Sequence, residues 1–195
     1  MTFALHVDKE KFDTHLHHVI DEYQASGAQI VPVIKGNGYG FGRTLLASQV
    51  AKLGLDKLAV GTVWELRQAL DDFAGTVLVL QPFDPRDELA IDEWRKALRH
   101  AADRILVTVS NPDISELTNI GVQHIYLEGI TSMCRFGLER NEIIELLANT
   151  DVRALVAEAR LRSGAALNPV GLYRDLAVRK GLITERGFKT IATGL

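Results

Sequence analysis

Short apolar runs recur five times along this sequence, and each is followed by a segment with helical periodicity. Runs of this kind, almost continuously apolar, are typical of parallel strands that are buried on both faces. Five strand–helix repeats predict an α/β fold, with a parallel sheet and helices outside it. The runs are QIVPVIKG (29–36), KLAVG (57–61), TVLVLQ (76–81), RILVTVS (104–110) and HIYLEGI (124–130).

Helical segments surround these runs. A first amphipathic helix is predicted at about 8–26, and those after the runs near 43–53, 64–73, 85–100, 114–119 and 141–150. The periodicity leaves open whether the sheet closes as a barrel or lies open and doubly wound. After residue 151, VRALVAEARL fits a strand or a helix, and AVRKGLI (177–183) predicts a last strand. No linker divides the sequence, so we expect a single domain over residues 1–195.

Charge and composition exclude several classes of protein. The formal net charge is −3 without a block of like charge, which argues against nucleic acid or a membrane surface as partner. The single cysteine, Cys134, excludes an internal disulfide and a cysteine-based zinc site. Asp8 and Lys9 interrupt the N-terminus before a secretory signal develops, and no stretch approaches the roughly 18 apolar residues of a membrane span. We expect a cytoplasmic protein.

The first run ends in a lysine followed by a glycine-rich loop. Lys35 lies at the carboxyl end of the predicted strand, where α/β proteins place their chemistry, and an apolar wall there would lower the pKa of its amine. A free amine attacks aldehydes, and the Tyr39 hydroxyl lies within reach of what the lysine holds. The alternative is a structural turn with a surface lysine. Four glycines would let backbone amides approach a phosphate: Gly36, Gly38, Gly40 and Gly42.

The segment IKGNGYGFG resembles the lysine–x–asparagine–x–tyrosine–glycine–x–glycine signature of alanine racemases. The matching residues are Lys35, Asn37, Tyr39, Gly40 and Gly42, with Phe41 in place of a common histidine. The resemblance implies a TIM-type (β/α) barrel of the kind that forms the N-terminal domain of these fold-type III enzymes. It also implies that Lys35 carries pyridoxal 5′-phosphate as a Schiff base, that Tyr39 bonds its phosphate, and that Asn37 belongs to the cofactor site.

A second segment, LEGITSMCRFGL, is similar to the family's strand-five segment. Arg135 matches an arginine that bonds the phenolic oxygen of the cofactor and the substrate carboxylate, so the resemblance implies this catalytic role for it. Glu128 occupies the position of a lysine that some members carbamylate, and it would supply the orienting carboxylate directly. Departures from the pattern are Ile130, Ser132 and Cys134, which replace an aspartate and two glycines.

The tail LAVRKGLI resembles the family's last barrel strand. There Arg179 would face the pyridine nitrogen, and the amides of Gly181 and Leu182 would bind phosphate. An arginine cannot give that nitrogen a full proton, which suits racemisation over transamination. In RSGAAL (162–167), Ser163 matches a serine that contacts phosphate.

The resemblance is incomplete. The family's strand with a ring-stacking histidine has no counterpart, which implies an incomplete barrel. The resemblance does not extend to the family's C-terminal β-domain, with a tyrosine that serves as second base in a partner subunit, so we expect a shortened protein. A homodimer is left as an open alternative. His15 and His18 form no recognisable metal site, so no metal is expected.

Three functions stay open. The leading hypothesis is a pyridoxal phosphate-dependent isomerase, similar to an amino-acid racemase, that acts at the α-carbon of a small amino acid. A second is a pyridoxal phosphate-binding or homeostasis protein with little or no catalysis. A third is a shortened chain that neither binds the cofactor nor turns over a substrate.

Overall fold

The computed structural model describes residues 6–25, 30–130, 136–149 and 156–159, the last four by their backbone alone. Three helices come first, and from residue 57 onward strands and helices alternate as the apolar runs predict. The helices are α1 (Lys9–Ala25), α2 (Lys35–Tyr39), α3 (Arg43–Lys52), α4 (Leu66–Asp72), α5 (Glu88–Ala101), α6 (Ser115–Asn119) and α7 (Arg140–Ala148). Two short 3₁₀ segments lie at Val63–Glu65 and Ala102–Arg104.

Five parallel strands form one sheet, and their order in the sheet is their order in the chain. A doubly wound sheet reverses its strand order at a switch point, whereas a (β/α) barrel adds each strand beside the preceding one. The described strands follow the second rule, so they have the TIM-type arrangement and form part of a barrel. The strands are β1 (Lys57–Val60), β2 (Thr76–Val79), β3 (Ile105–Val109), β4 (Ile125–Leu127) and β5 (Val156–Ala159).

The strand predicted over 29–36 is longer than the one that forms. Among its described residues, one isolated parallel bridge joins Val33 to Ala59. The Ile34 amide donates to the Ala59 carbonyl (2.8 Å), and the Ala59 amide donates to the Pro32 carbonyl (2.7 Å). The next bond of a parallel ladder would need an N–H on Pro32, which proline lacks. On the other side, Ile34 leaves the extended conformation at ψ 22°. The chain therefore pairs with β1 only briefly before it turns into α2.

Side chains alternate along the strands between two separate apolar clusters. The outer cluster packs the sheet against the helices and includes Leu58, Val60, Val79 and Val107 from the strands. The inner cluster is formed mainly by residues of neighbouring strands, and no residue of the described helices belongs to it: Val31, Ala59, Leu78, Leu106 and Tyr126. A sheet buried on both faces, with one face lined by strands alone, is what the inside of a barrel requires.

Several smaller predictions can be compared with the structure. The ambiguous segment VRALVAEARL contains strand β5, and each helix predicted within the described residues is present to within a few residues of its expected ends. The predicted last strand, AVRKGLI (177–183), lies outside the described residues, and the single domain over 1–195 stays a prediction. Within the described residues, no helix is long and apolar enough to cross a membrane.

Candidate active site

The carboxyl ends of the parallel strands meet at one edge of the sheet, and Lys35 lies at that edge. It follows the Val33–Ala59 bridge directly, as Gly61 follows β1 and Glu128 follows β4. The Cβ of Lys35 lies only 3.1 Å from where a β-carbon on Gly61 would stand. The sequence prediction that placed Lys35 beside the other strand ends is therefore consistent with the fold.

The residues after Lys35 form a left-handed turn. The φ angles are 59° at Gly36, 55° at Asn37, 63° at Gly38 and 52° at Tyr39, and ψ is near 40° at the first three. Glycine adopts this region freely, whereas asparagine tolerates it and tyrosine rarely does. Gly38 is also buried, and a β-carbon there would stand 2.8 Å from the side chain of Leu46. The glycine spacing therefore serves the turn itself.

The amides of four glycines in this loop donate within the protein, not outward. Gly36 donates to the Glu65 carboxylate (2.8 Å), Gly38 to the Ile34 carbonyl (3.0 Å), and Gly40 and Gly42 to the Asn37 carbonyl (3.3 and 3.0 Å). The approach of backbone amides of this loop to a phosphate stays a prediction. The hydrogen-bonding capacity of these four amides is already used to hold the turn.

Asn37 organises the loop from within. Its side-chain oxygen accepts from the amide of Arg43 at 3.3 Å, and Arg43 is the first residue of α3. The first amides of a helix lack partners inside the helix, so a side-chain oxygen there stabilises the helix start. The membership of Asn37 in a cofactor site stays a prediction, since this contact by itself explains an asparagine at this position.

Lys35 and Tyr39 both project from the turn into solvent. The Lys35 Nζ lies 5.9 Å from the centroid of the Tyr39 ring, and Tyr39 is 63% exposed. Lys35 is exposed as well, so the described residues do not form the apolar wall that the sequence predicted around its amine. The reason is the turn at Ile34, which takes the chain out of the sheet before Lys35. The amine is accessible to a ligand that approaches this edge.

A carboxylate that the sequence analysis overlooked holds the turn to the sheet. Glu65 accepts from the Gly36 amide through Oε1 (2.8 Å), and from the Gly61 and Thr62 amides through Oε2 (2.6 and 3.2 Å). Arg43 Nη1 lies 3.6 Å from Oε1, and the side chain of Glu65 is only 15% exposed. The sequence pattern that could have identified Glu65 is the Thr–x–x–Glu capping box at Thr62–Glu65, because this pattern marks the start of a helix.

Glu128 is buried at the end of β4, with 5% of its surface exposed. Its amide donates to the Val109 carbonyl (2.9 Å), and its carbonyl accepts from the Leu138 amide (2.7 Å). The contact predicted between Glu128 and Arg135 stays a prediction, because Arg135 lies outside the described residues. The other predicted cofactor contacts also lie outside them: Ser163, Arg179, Gly181 and Leu182.

Among the described residues, no group of three or more His, Cys, Asp or Glu side chains could hold a metal ion. His15 and His18 lie on the exposed side of α1.

The sequence matches a family model, alanine racemase, N-terminal domain, over residues 7–161. An alanine racemase from Campylobacter concisus is 28% identical over 168 residues, which are 84% of this chain and 45% of that protein. The chain thus spans about half the length of the curated relative it matches.

Solved structures of alanine racemases share the fold. The enzyme from D-cycloserine-producing Streptomyces lavendulae superimposes with a TM-score of 0.67 at 18% identity, covering 93% of this chain and 55% of that one. An alanine racemase of Clostridium difficile 630 in complex with cycloserine gives a TM-score of 0.66 at 17% identity, covering 90% and 50%. At these identities the likeness establishes the architecture.

Proposed function

The chain belongs to the family of alanine racemase N-terminal domains, and we propose from this that it binds pyridoxal 5′-phosphate covalently through Lys35 and acts as an amino-acid racemase-like isomerase at the α-carbon. The observation that carries the proposal is the position of Lys35. Its amine is exposed at the carboxyl edge of the sheet, on a turn whose backbone is fixed by hydrogen bonds to Glu65 and Ile34. An accessible amine on a rigid support is what covalent attachment to an aldehyde requires.

The residues at this edge fit such a cofactor. Lys35 offers the amine, and Tyr39, four residues on, offers a hydroxyl that can donate to a phosphate. When bound, pyridoxal phosphate supplies the electron sink for carbanion chemistry. Lys35 would then remove or return the α-proton on one face of the substrate.

Residues outside the described ranges complete the proposal. Arg135 would hold the carboxylate of a small amino-acid substrate, and Arg179 would face the ring nitrogen. Ser163 and the amides of Gly181 and Leu182 would bind the phosphate. We further propose a cytoplasmic protein that can form a homodimer.

A second candidate is a protein that binds the cofactor without efficient turnover. The open setting of Lys35 and Tyr39 favours it, because catalytic sites usually exclude water from the reacting groups. The two candidates share the cofactor and differ only in whether a substrate is turned over once the cofactor is bound.

The test of cofactor binding is an absorption spectrum of the full chain with pyridoxal phosphate, before and after borohydride reduction, with the modified lysine mapped by mass spectrometry. Lys35→Ala and Lys35→Arg should both lose the reducible chromophore, because neither side chain forms an imine. Lys52→Ala removes an exposed lysine at the end of α3 and should keep it. A reducible chromophore that persists in Lys35→Ala would show that Lys35 is not the point of attachment.

The test of turnover is deuterium uptake at the α-carbon of L- and D-alanine in heavy water. A base at Lys35 serves one face of the substrate, so Lys35 by itself accounts for uptake into one enantiomer. Rapid uptake into both enantiomers would mean that another residue or chain supplies a second base. No uptake into either, with the chromophore present, would favour the binding protein.

A further inference from the structure

The Glu65 carboxylate lies between two segments that are remote in sequence. One oxygen, Oε1, accepts from Gly36, the residue immediately after Lys35, and the other, Oε2, accepts from Gly61 and Thr62 at the end of β1. Hydrogen bonds to an ionised acceptor are roughly twice as strong as those between neutral groups. The carboxylate is mostly buried, which limits competition from water.

We infer that Glu65 is a positioning residue for Lys35, which fixes the lysine backbone against the end of β1 and so sets where the amine meets an aldehyde cofactor. The inference rests on the proposed attachment of that cofactor at Lys35. Two further contacts support it. Arg43 Nη1 lies 3.6 Å from Oε1, and a β-carbon on Gly61 would stand 2.8 Å from Oε2 and 3.1 Å from the Cβ of Lys35. Glu65, Gly61 and Lys35 are therefore packed together without room for an added methyl group.

Each oxygen of the Glu65 carboxylate accepts hydrogen bonds from a different segment of the chain. A conservative substitution can therefore remove one of these contacts and keep the other. Glu65→Gln leaves one accepting oxygen and introduces an amide that only donates. The remaining oxygen should face the two donors of Gly61 and Thr62, since that orientation satisfies more N–H groups. The new NH₂ then faces the Gly36 amide, so the tie to the lysine turn is lost while the helix start keeps its acceptor.

A matched control exists in the same chain. Glu142 closes a capping box at the start of α7 and accepts from the Glu139 amide at 2.7 Å. Glu142→Gln alters the same chemistry at a helix far along the chain from Lys35. This variant should therefore show any loss of stability that follows generally from changing a capping glutamate.

The experiment compares wild type, Glu65→Gln and Glu142→Gln in two measurements. The first is hydrogen exchange of the Gly36 amide without cofactor, where Glu65→Gln should lower protection about 10- to 100-fold, the loss of one hydrogen bond to a charged group. The second is labelling with pyridoxal phosphate and borohydride, where the share of label on Lys35 relative to other lysines should fall about tenfold in Glu65→Gln. Glu142→Gln should leave both values at wild type.

Unchanged Gly36 protection in Glu65→Gln would overturn the inference. So would reduced protection with an unchanged share of label on Lys35, because the contact would then be structural alone. If wild type takes no label at Lys35, the proposed function fails. The exchange measurement needs no cofactor, so it still shows on its own whether Glu65 holds the turn after Lys35.

Discussion

The Nζ of Lys35 lies 5.9 Å from the centroid of the Tyr39 ring, and both side chains leave the same left-handed turn. A cation at this distance from an exposed aromatic ring gains roughly 0.5–1 kcal/mol. The ring of Tyr39 therefore contacts the amine of Lys35, whereas its hydroxyl is proposed to bind a phosphate. Substitutions can distinguish them.

Tyr39→Phe should weaken the binding of pyridoxal phosphate by roughly 1.5–3 kcal/mol, the value of a hydrogen bond to a charged group. The ring remains, so the contact with Lys35 is retained. Tyr39→Leu removes the ring as well as the hydroxyl, so any further change in affinity measures the contribution of the ring. The dissociation constant is measured by spectroscopic titration. Since Tyr39 is 63% exposed and Tyr39→Phe keeps the ring, this change should leave the unfolding midpoint as it is, and equal affinity of wild type and Tyr39→Phe would remove the hydroxyl from the phosphate site.

Gly61→Ala should destabilise the protein by about 1–3 kcal/mol and also reduce labelling of Lys35 by pyridoxal phosphate. The added methyl group would meet Glu65 Oε2 at 2.8 Å and the Cβ of Lys35 at 3.1 Å. Gly75→Ala is the control, because its methyl group would meet the Asp56 carbonyl at 2.3 Å, at the amino end of β2. Urea unfolding should show a lower stability for both variants, whereas only Gly61→Ala should lower the amount of label on Lys35. An equal loss of label in both would point to general destabilisation.

Glu128→Gln should weaken the affinity for an amino-acid substrate more than the affinity for the cofactor. The buried carboxylate is proposed to orient Arg135, which would hold the substrate carboxylate, and a neutral amide does this less well. The two dissociation constants are measured separately, and bicarbonate should change neither in wild type. If bicarbonate restores the substrate affinity of Glu128→Lys, this would support the equivalence of position 128 with the carbamylated lysine of the family. Identical affinities in Glu128→Gln and wild type would rule out an orienting role.

Asp84 should titrate well below an ordinary aspartate. The Arg86 guanidinium donates to both of its oxygens (2.8 and 2.9 Å) and the Arg86 amide adds a third bond, which together lower the pKa of Asp84 from 3.8 to about 2. A depressed pKa stabilises the folded state above the unfolded value of 3.8, and this contribution is lost as the pH falls through about 2. The contribution is small, because the carboxylate is 42% exposed and is screened by solvent.

The measurement is an NMR titration of the Asp84 carboxyl group. Arg86→Met should move the midpoint up towards 3.8, since it removes the guanidinium and leaves the backbone amide. A midpoint that does not move would assign the low value to the backbone bond alone.

The sequence predicted the strands best where the apolar run is continuous. Ile105–Val109 is buried at every position, so its run of apolar residues identifies it without ambiguity. Residues 29–36 have a similar composition but form a single bridge, because Pro32 cannot donate and Ile34 begins a turn. The choice between barrel and doubly wound sheet depends on strand order, which is a long-range property that local periodicity does not contain.

The sequence predicted that Lys35 lies near the carboxyl end of a strand, but it did not predict the hydrogen bonds that hold the turn after Lys35 in place. A glycine at alternate positions indicates a loop, but consecutive left-handed residues that include Asn37 and Tyr39 leave no simple pattern. The amides of Gly36 and Gly61 meet at Glu65 only because the chain returns to the same edge after β1. The capping box at Thr62–Glu65 was visible in the sequence, but the hydrogen bond that Glu65 accepts from the Gly36 amide was not.

The strand order also bears on how the protein is made. Each strand from β2 to β5 pairs with the strand synthesised just before it, so a growing chain can extend its sheet in the direction of synthesis. The turn after Lys35, strand β1 and Glu65 all lie within the first 65 residues. The turn after Lys35 and the carboxylate that holds it therefore leave the ribosome before β2 to β5, and these strands are added to a β1 that already lies beside Lys35.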